Sequence, residues 1–274
     1  MKNKSKWLTQ IWISLFLSLL VIVLTLEIFF TIVPLKEFEQ NHIDERFLRR
    51  GPIDIRDKSE VIILEITQET YDGLPHPYNI WPWPRIIFSK IIENLNEAGA
   101  KVIGIDLIMS NQDRLSPLND SSLVAAIKKY RNVIVAGKVE VATASTIQTG
   151  EDGGTVYKEK FLIRKTDFDY NNIFFRADSG IGLVNVTSDH DGVFRRYLPF
   201  IYSPTSERLV PTFGFAILNK YFALPNNHLA LNEKNFFVLQ EISIPKFDVI
   251  SLLINFYGPS RTFRHENLLN VLDD

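Results

Sequence analysis

Cysteine is missing from all 274 residues. Its absence excludes a disulfide scaffold, thiolate zinc sites, thioredoxin-like redox chemistry and cysteine nucleophiles together. A basic excess is missing as well: 30 Lys and Arg stand against 32 Asp and Glu, a formal charge of −2. No nucleic-acid partner is expected from such a balance. There is no phosphate-binding glycine loop, no serine nucleophile elbow and no paired-histidine zinc helix. The histidines His42, His76, His190, His228 and His265 are scattered, and none is spaced as a ligand pair. The expectation is therefore no catalytic set, no metal and no cofactor. Disorder is excluded too, because 12% aromatic residues supply ample material for a core.

What is present begins with an apolar run. Trp7 to Leu26 carries no charge, and the run reaches Val33 if Glu27 is tolerated. At about 1.5 Å per residue it reaches about 30 Å, the thickness of a hydrocarbon core. Lys2, Lys4 and Lys6 precede it, and a mostly acidic flank of Lys36, Glu37, Glu39, Asp44 and Glu45 follows. The positive-inside bias puts Met1 in the cytoplasm and everything after Val33 outside. A cleaved signal peptide fits poorly, since the run is too long and no small-residue cleavage site follows. Glu27 falls at the outer interface, where an acid is cheap. The expected division is a cytoplasmic tail (1–6), a transmembrane anchor (7–33), a stalk helix (34–51) and an extracytoplasmic domain (52–274). Beyond Val33 the chain keeps 27 basic and 31 acidic groups, a net of −4.

Leu35, Phe38, Ile43 and Phe47 recur at loosely helical spacing, and Gly51-Pro52 ends that stalk. Val61–Ile66, Val102–Ile108 and Val133–Val139 read as buried strands. Between them, Pro84 opens a helix with Ile87, Ile91 and Leu95 on one stripe and Gly99 as its stop. Asp120 and Ser121 offer caps for a second helix carrying Leu123, Ile127 and Tyr130. This alternation predicts an α/β fold with a parallel strand–helix–strand core. Antiparallel additions follow. Residues 142–160, polar and glycine-rich, read as a surface excursion. Gly182–Val186 and Val193–Phe200 flank a turn at 188–192 and read as a hairpin. Pro211–Ala223 reads as a helix and Ile250–Tyr257 as a late buried strand.

Two segments are unusual for loops. Trp81-Pro-Trp83-Pro-Arg85 is a rigid aromatic wedge running into a helix, where an arginine opposes the helix dipole and asks for an acidic partner. Asp189-His-Asp191-Gly-Val-Phe-Arg195-Arg196 combines a turn with two acids and two arginines. Asp106 adds an acid to an otherwise apolar strand, near the carboxyl end where open α/β sheets hold ligands. Trp81, Trp83, Arg85 and Asp106 are thus candidate ligand residues. Asp189, Asp191, Arg195 and Arg196 are a candidate structural charge network. The plainer reading stays open for the first group: tryptophans closing the core, and a buried pair between an arginine and Asp106.

These segments resemble the type 2 CHASE domain, an extracellular sensor module of bacterial membrane receptors. The matching stretches are Asp44–Phe47, Val61–Ile66, Trp81–Arg85, Ala98–Asp106, Asn132–Ala136, Gly182–Val186, Asp191–Arg196 and Leu253–Pro259, in the family's order. One departure is Thr67-Gln-Glu69, where the family usually has an aspartate. The resemblance implies a membrane-anchored sensor that binds an unidentified small-molecule or envelope ligand. Such receptors pass the signal to a cytoplasmic cyclase or kinase, which this chain does not include, by way of a homodimer or a partner receptor. The alternative from another class is an anchored hydrolase using Asp106, Asp189 or Asp191 as acid or base. It lacks a nucleophile–base–orienter set.

Overall fold

The computed structural model describes residues 2–25, 33–149, 155–165, 170, 172–175, 177, 180–203, 207–224, 230–231, 237–239, 241–247 and 250–272. The chain divides into two compact units. The first comprises Met1–Ser59 and Phe256–Thr262. It holds helices α1 (Lys2–Thr25) and α2 (Val33–Arg50), so the expected stalk is helical. Pro34 lies in the first turn of α2, where its missing N–H costs nothing. Gly51, at φ 71°, supplies the left-handed residue that ends the helix. Beyond it Ile53 N–H donates to Tyr257 O at 2.7 Å, and the Phe47 and Phe256 rings meet edge-on at 5.9 Å. Among the described residues no helix is long and apolar enough to cross a membrane. Residues 26–32 of the expected anchor lie outside the described residues.

The second unit comprises Glu60–Asn255 and Phe263–Asp274. Its first half runs β1 (Ile62–Glu65), α3 (Gln68–Gly73), α4 (Arg85–Glu97), β2 (Ile103–Ile105), α5 (Pro117–Tyr130) and β3 (Val133–Gly137). Then come β4 (Glu140–Thr149), β5 (Thr155–Lys165), β6 (Ile181–Leu183), β7 (Arg196–Tyr197), β8 (Phe200–Ser203), β9 (Arg208–Pro211) and α6 (Phe213–Tyr221). The chain closes with β10 (Ala230–Leu231), β11 (Phe237–Leu239), β12 (Ile242–Ile244), β13 (Leu252–Leu253), β14 (Arg264–Asn267) and α7 (Leu269–Leu272).

The central sheet has the order β2-β3-β6 and is wholly parallel, with Ile103 opposite Val133 and Val135 opposite Ile181. The expected strand–helix–strand core is therefore present as β2–α5–β3. On one face Ile103, Val133 and Val135 share a core with Ile87, Ile91 and Ile92 of α4 and Leu123 and Ile127 of α5. Each such side chain, fully buried, contributes about 1.5–3 kcal/mol of transfer free energy. The opposite face receives α6. Gly104 and Gly182 lie where a Cβ would come within 2.7 Å of Ile217 Cδ1 and 2.5 Å of Phe213 Cα, so the helix sits almost on the sheet backbone.

Several expectations change. β1 does not join the central sheet; it pairs in parallel with β14, Ile62 opposite Arg264. The excursion at 142–160 is a pair of long antiparallel strands, β4 and β5, with Ala144 opposite Lys160. The β-branched Val, Thr and Ile of this segment favour extended backbone, and its glycines fall at 150–154, outside the described residues. The hairpin across 182–200 does not form. β6 is instead a parallel neighbour of β3, and β7 pairs with β13. The late strand over 250–257 shrinks to Leu252–Leu253. The second helix is capped by Ser116, whose hydroxyl accepts from Leu118 N–H at 3.2 Å, with Pro117 following; Asp120 sits inside the first turn.

The α6 contact yields a direct expectation. Gly182→Val would place a side chain against the Phe213 backbone, which cannot swing aside. It should lower stability by about 1–3 kcal/mol or more in a denaturant titration, because overpacking forces the helix off the sheet. An unchanged midpoint would mean that α6 does not pack there.

Candidate functional site

The loops following β1 and β2 meet. The meeting is built on Asp113, an acid that is 8% exposed. Its Oδ2 accepts from the backbone N–H of Arg85 at 2.6 Å. Its Oδ1 accepts from the N–H groups of Leu115 at 2.8 Å and Ser116 at 3.1 Å, and from Asn119 Nδ2 at 3.0 Å. Burial pushes this carboxyl up, but the bonds from Arg85, Ser116, Leu115 and Asn119 outweigh burial and hold it below its ordinary value. One carboxylate thus caps the start of α4 and organises the start of α5, where anionic oxygen also suits the helix dipoles.

Arg114, beside it, acts in the same direction. Its guanidinium donates to the carbonyls of Pro77 at 2.8 Å, Ile80 at 3.0 Å and Pro82 at 3.0 Å, holding the proline-rich loop in place. Arg85 is buried and donates to Trp83 O at 3.1 Å and Asn111 O at 3.3 Å. The acid nearest its Nε is Asp120, 3.9 Å away, an ion pair without a hydrogen bond.

The four candidate ligand residues separate. Trp83 is fully buried, its ring 5.3 Å from Tyr71, 5.8 Å from Trp81 and 6.3 Å from Phe88. Arg85 belongs to the clamp just described. Trp81 remains 47% exposed. Asp106 is exposed, one residue past β2, so the buried pair between an arginine and Asp106 does not form. Asp113 and Arg114 were not singled out from sequence, and Asp120 was read only as a helix cap. The Ser116-Pro117 step, a capping residue before a first-turn proline, was the available signal for a helix start beside two acids. At Thr67-Gln-Glu69 an amide takes the central part. Asn267 Oδ1 accepts from Thr70 at 2.8 Å, and its Nδ2 donates to Thr67 Oγ1 at 3.0 Å and Glu69 Oε2 at 2.8 Å.

The charge network is brought together. Arg195 Nη1 lies 3.1 Å from Asp189 Oδ2, Arg195 Nη2 2.7 Å from Asp191 Oδ2, and Arg196 Nε 2.7 Å from Asp189 Oδ1. The Arg195 and Asp189 side chains are each 3% exposed. The turn that aligns them is closed by Gly192 N–H to Asp189 O at 3.0 Å, with Gly192 at φ 82°. Arg195 O then accepts from Ile254 N–H at 2.8 Å, which ties the turn to the late part of the chain. With both oxygens of Asp189 on guanidinium groups, it is poorly placed as an acid or base toward a substrate.

Asp113→Ala removes four acceptor contacts and should cost about 2–4 kcal/mol, since buried donors are left without a partner. Tryptophan emission should shift as the Trp81–Arg85 loop loosens; an unmoved midpoint and spectrum would refute the clamp. Arg195→Ala should cost about 3–5 kcal/mol, the usual consequence of stranding a buried charge. Asp191 adds a pH signature. The hydrogen bond from Arg195, with a second from Val193 N–H, holds its carboxyl down at about 2. Its contribution is therefore fully present above the unfolded value of about 3.9 and is lost as pH falls toward 2. Asp191→Asn should flatten the acid limb of the stability curve, and an unchanged limb would count against the pairing.

Comparison with known proteins comes down to one family. Residues 16–273 match the CHASE2 domain, a stretch that takes in both networks. No curated protein and no solved structure matches the chain. The CHASE2 domain is a family of sensor domains. With the match running from within α1 to beyond α7, the chain belongs to the CHASE2 domain family.

Proposed function

We propose that this chain is a membrane-anchored extracytoplasmic sensor. It passes its signal to a cytoplasmic cyclase or kinase that lies outside these 274 residues. The family match supports the sensor role. Support for the anchor comes from α1, where Trp12, Ile13, Leu15, Leu17, Val21 and Ile22 are 50–70% exposed. Consecutive helical positions point about 100° apart, so these side chains present apolar surface in every direction. A helix hydrophobic all round is at home in lipid rather than water.

The carboxyl-edge loops form the recognition surface, with Trp81 and Asp106 as its reachable members. Trp83 and Arg85 hold that surface in shape. Signalling requires the signal to bind one arrangement of the domain more tightly than another.

Topology is the test. A periplasmic-type enzyme reporter fused after Asp274 should be active only outside the cytoplasm, and the mature chain should retain its first 33 residues by mass. A reporter active in the cytoplasm, or a chain shortened past the apolar run, would overturn the anchored-sensor reading.

A further inference from the structure

Arg114 differs from the other arginines of the charge networks. Arg49, Arg195, Arg196 and Arg264 each keep a carboxylate oxygen within 3.1 Å. Arg114 is exposed, and among the described residues no acid pairs with it. Its neighbour Asp113 has both oxygens on other donors. A guanidinium carries five N–H donors in one plane. Arg114 places one from Nε on Pro82 O and two from Nη2 on Pro77 O and Ile80 O, all of them neutral acceptors. Both N–H bonds of Nη1 remain without an acceptor among the described residues. The three bonds hold the head group still and leave its charge uncompensated. The rotamer freedom that an arginine ordinarily loses on binding a ligand is therefore already lost in the fold.

We propose that Arg114 binds the carboxylate of a small monocarboxylic acid with an apolar body, and that such an acid is the class of signal the carboxyl-edge loops recognise. A carboxylate oxygen accepts from Nη1–H, a charge-assisted bond that is stronger than the carbonyl bonds already in place. The single charge follows from the surroundings. Arg85, the other cation of the clamp, is buried, and Asp120 Oδ2 accepts from the Asp113 N–H at 3.0 Å, one residue away from Arg114. A phosphate or sulfate dianion would meet one cation with two carboxylates nearby, and like charges repel it. The apolar body follows from the loop. Arg114 grips the carbonyls of Ile80 and Pro82, so Trp81 rises from backbone that the same guanidinium holds. The Trp81 ring is 47% exposed and rests edge-on against buried Trp83 at 5.8 Å. An exposed, fixed aromatic beside one charged donor is the composition of a site for a small amphipathic ligand. The proposal rests on reading these loops as the recognition surface, and not on the anchor.

Tryptophan emission reads binding at the loop. In the full-length chain, Trp7→Phe and Trp12→Phe in α1 leave Trp81 and Trp83 as the emitters. This protein, in detergent at neutral pH and constant ionic strength, is titrated with phenylacetate and hexanoate, with their uncharged amides, and with inorganic phosphate. At least one acid should give a saturable change with a dissociation constant of about 1 mM or below, the range open to about ten non-hydrogen atoms. Its amide should bind about tenfold more weakly, the loss of one charge-assisted hydrogen bond, and phosphate should bind more weakly than the acid. Arg114→Gln should bring acid and amide to equal affinity, and Trp81→Ala should weaken both. The proposal is overturned if neither acid gives a saturable change, if the amide binds as well as the acid, or if phosphate binds more tightly. It is equally overturned if Arg114→Gln, with its melting temperature unmoved, still prefers the acid. Should Arg114→Gln lower the melting temperature, the comparison of acid with amide in the parent chain decides alone. None of these outcomes bears on the topology reporter, which tests the anchored-sensor reading by itself.

Discussion

The Asp113 carboxylate is the constraint on which the sensor unit's carboxyl edge depends. It replaces water at four donors belonging to two helix starts. Without an anion there, the first N–H of α4 and the loop N–H groups before α5 would be buried without acceptors, a cost of about 1–3 kcal/mol each. With it, α4 and α5 begin side by side, and their apolar stripes face the same three strand residues. The packing of Ile87, Ile92, Leu123 and Ile127 over Val133 and Val135 is thus the downstream consequence of a polar contact. Trp83 closes that core because the loop carrying it is tied down by Arg114.

A second acid–arginine system, around Asp189 and Arg195, follows the same physics with a different purpose. It is contained within one turn, so it fixes where the chain goes rather than which helices meet. Two guanidiniums share Asp189, and Asp191 completes the geometry from the solvent side. Because the members are so nearly neutralised among themselves, Asp189 and Arg195 can be buried while residues 190–194 between them stay exposed. The chain then leaves the turn as β7 beside β13.

Much of this was legible in the residues. Apolar runs of strand length at 102–108 and 133–139, interleaved with stripes at i, i+4 and i+8, announce parallel strands covered by helices; the run at 61–66, expected to be buried as well, forms a strand whose Val61, Ile62 and Ile63 are exposed, because it pairs with β14 outside the central sheet. The clustering of acids and arginines at 189–196 announces a network, since no other partner of opposite charge is so close in sequence. What was not legible depends on contacts distant along the chain. The pairing of β1 with β14 joins residues some 200 apart. Nothing local distinguishes it from pairing with β2. Gly182 looks like part of a hairpin until α6 is seen resting on it. Asp113 looks like one more loop acid, because its donors are backbone N–H groups that carry no sequence signature.

The placement of β1 bears on how a signal could travel. The chain passes between the two compact units at Ser59 to Glu60, Asn255 to Phe256 and Thr262 to Phe263. β1 begins two residues after the first crossing and β14 one residue after the third; the two strands then run hydrogen-bonded in parallel. At their far end Asn267 bonds Thr67, Glu69 and Thr70, the opening of the segment that leads to Trp81. The segment opening at Thr67 and the crossings at Glu60 and Phe263 therefore lie at opposite ends of one hydrogen-bonded strand pair. A two-stranded ribbon resists stretching far better than a single loop would, because its ladder bonds must break together.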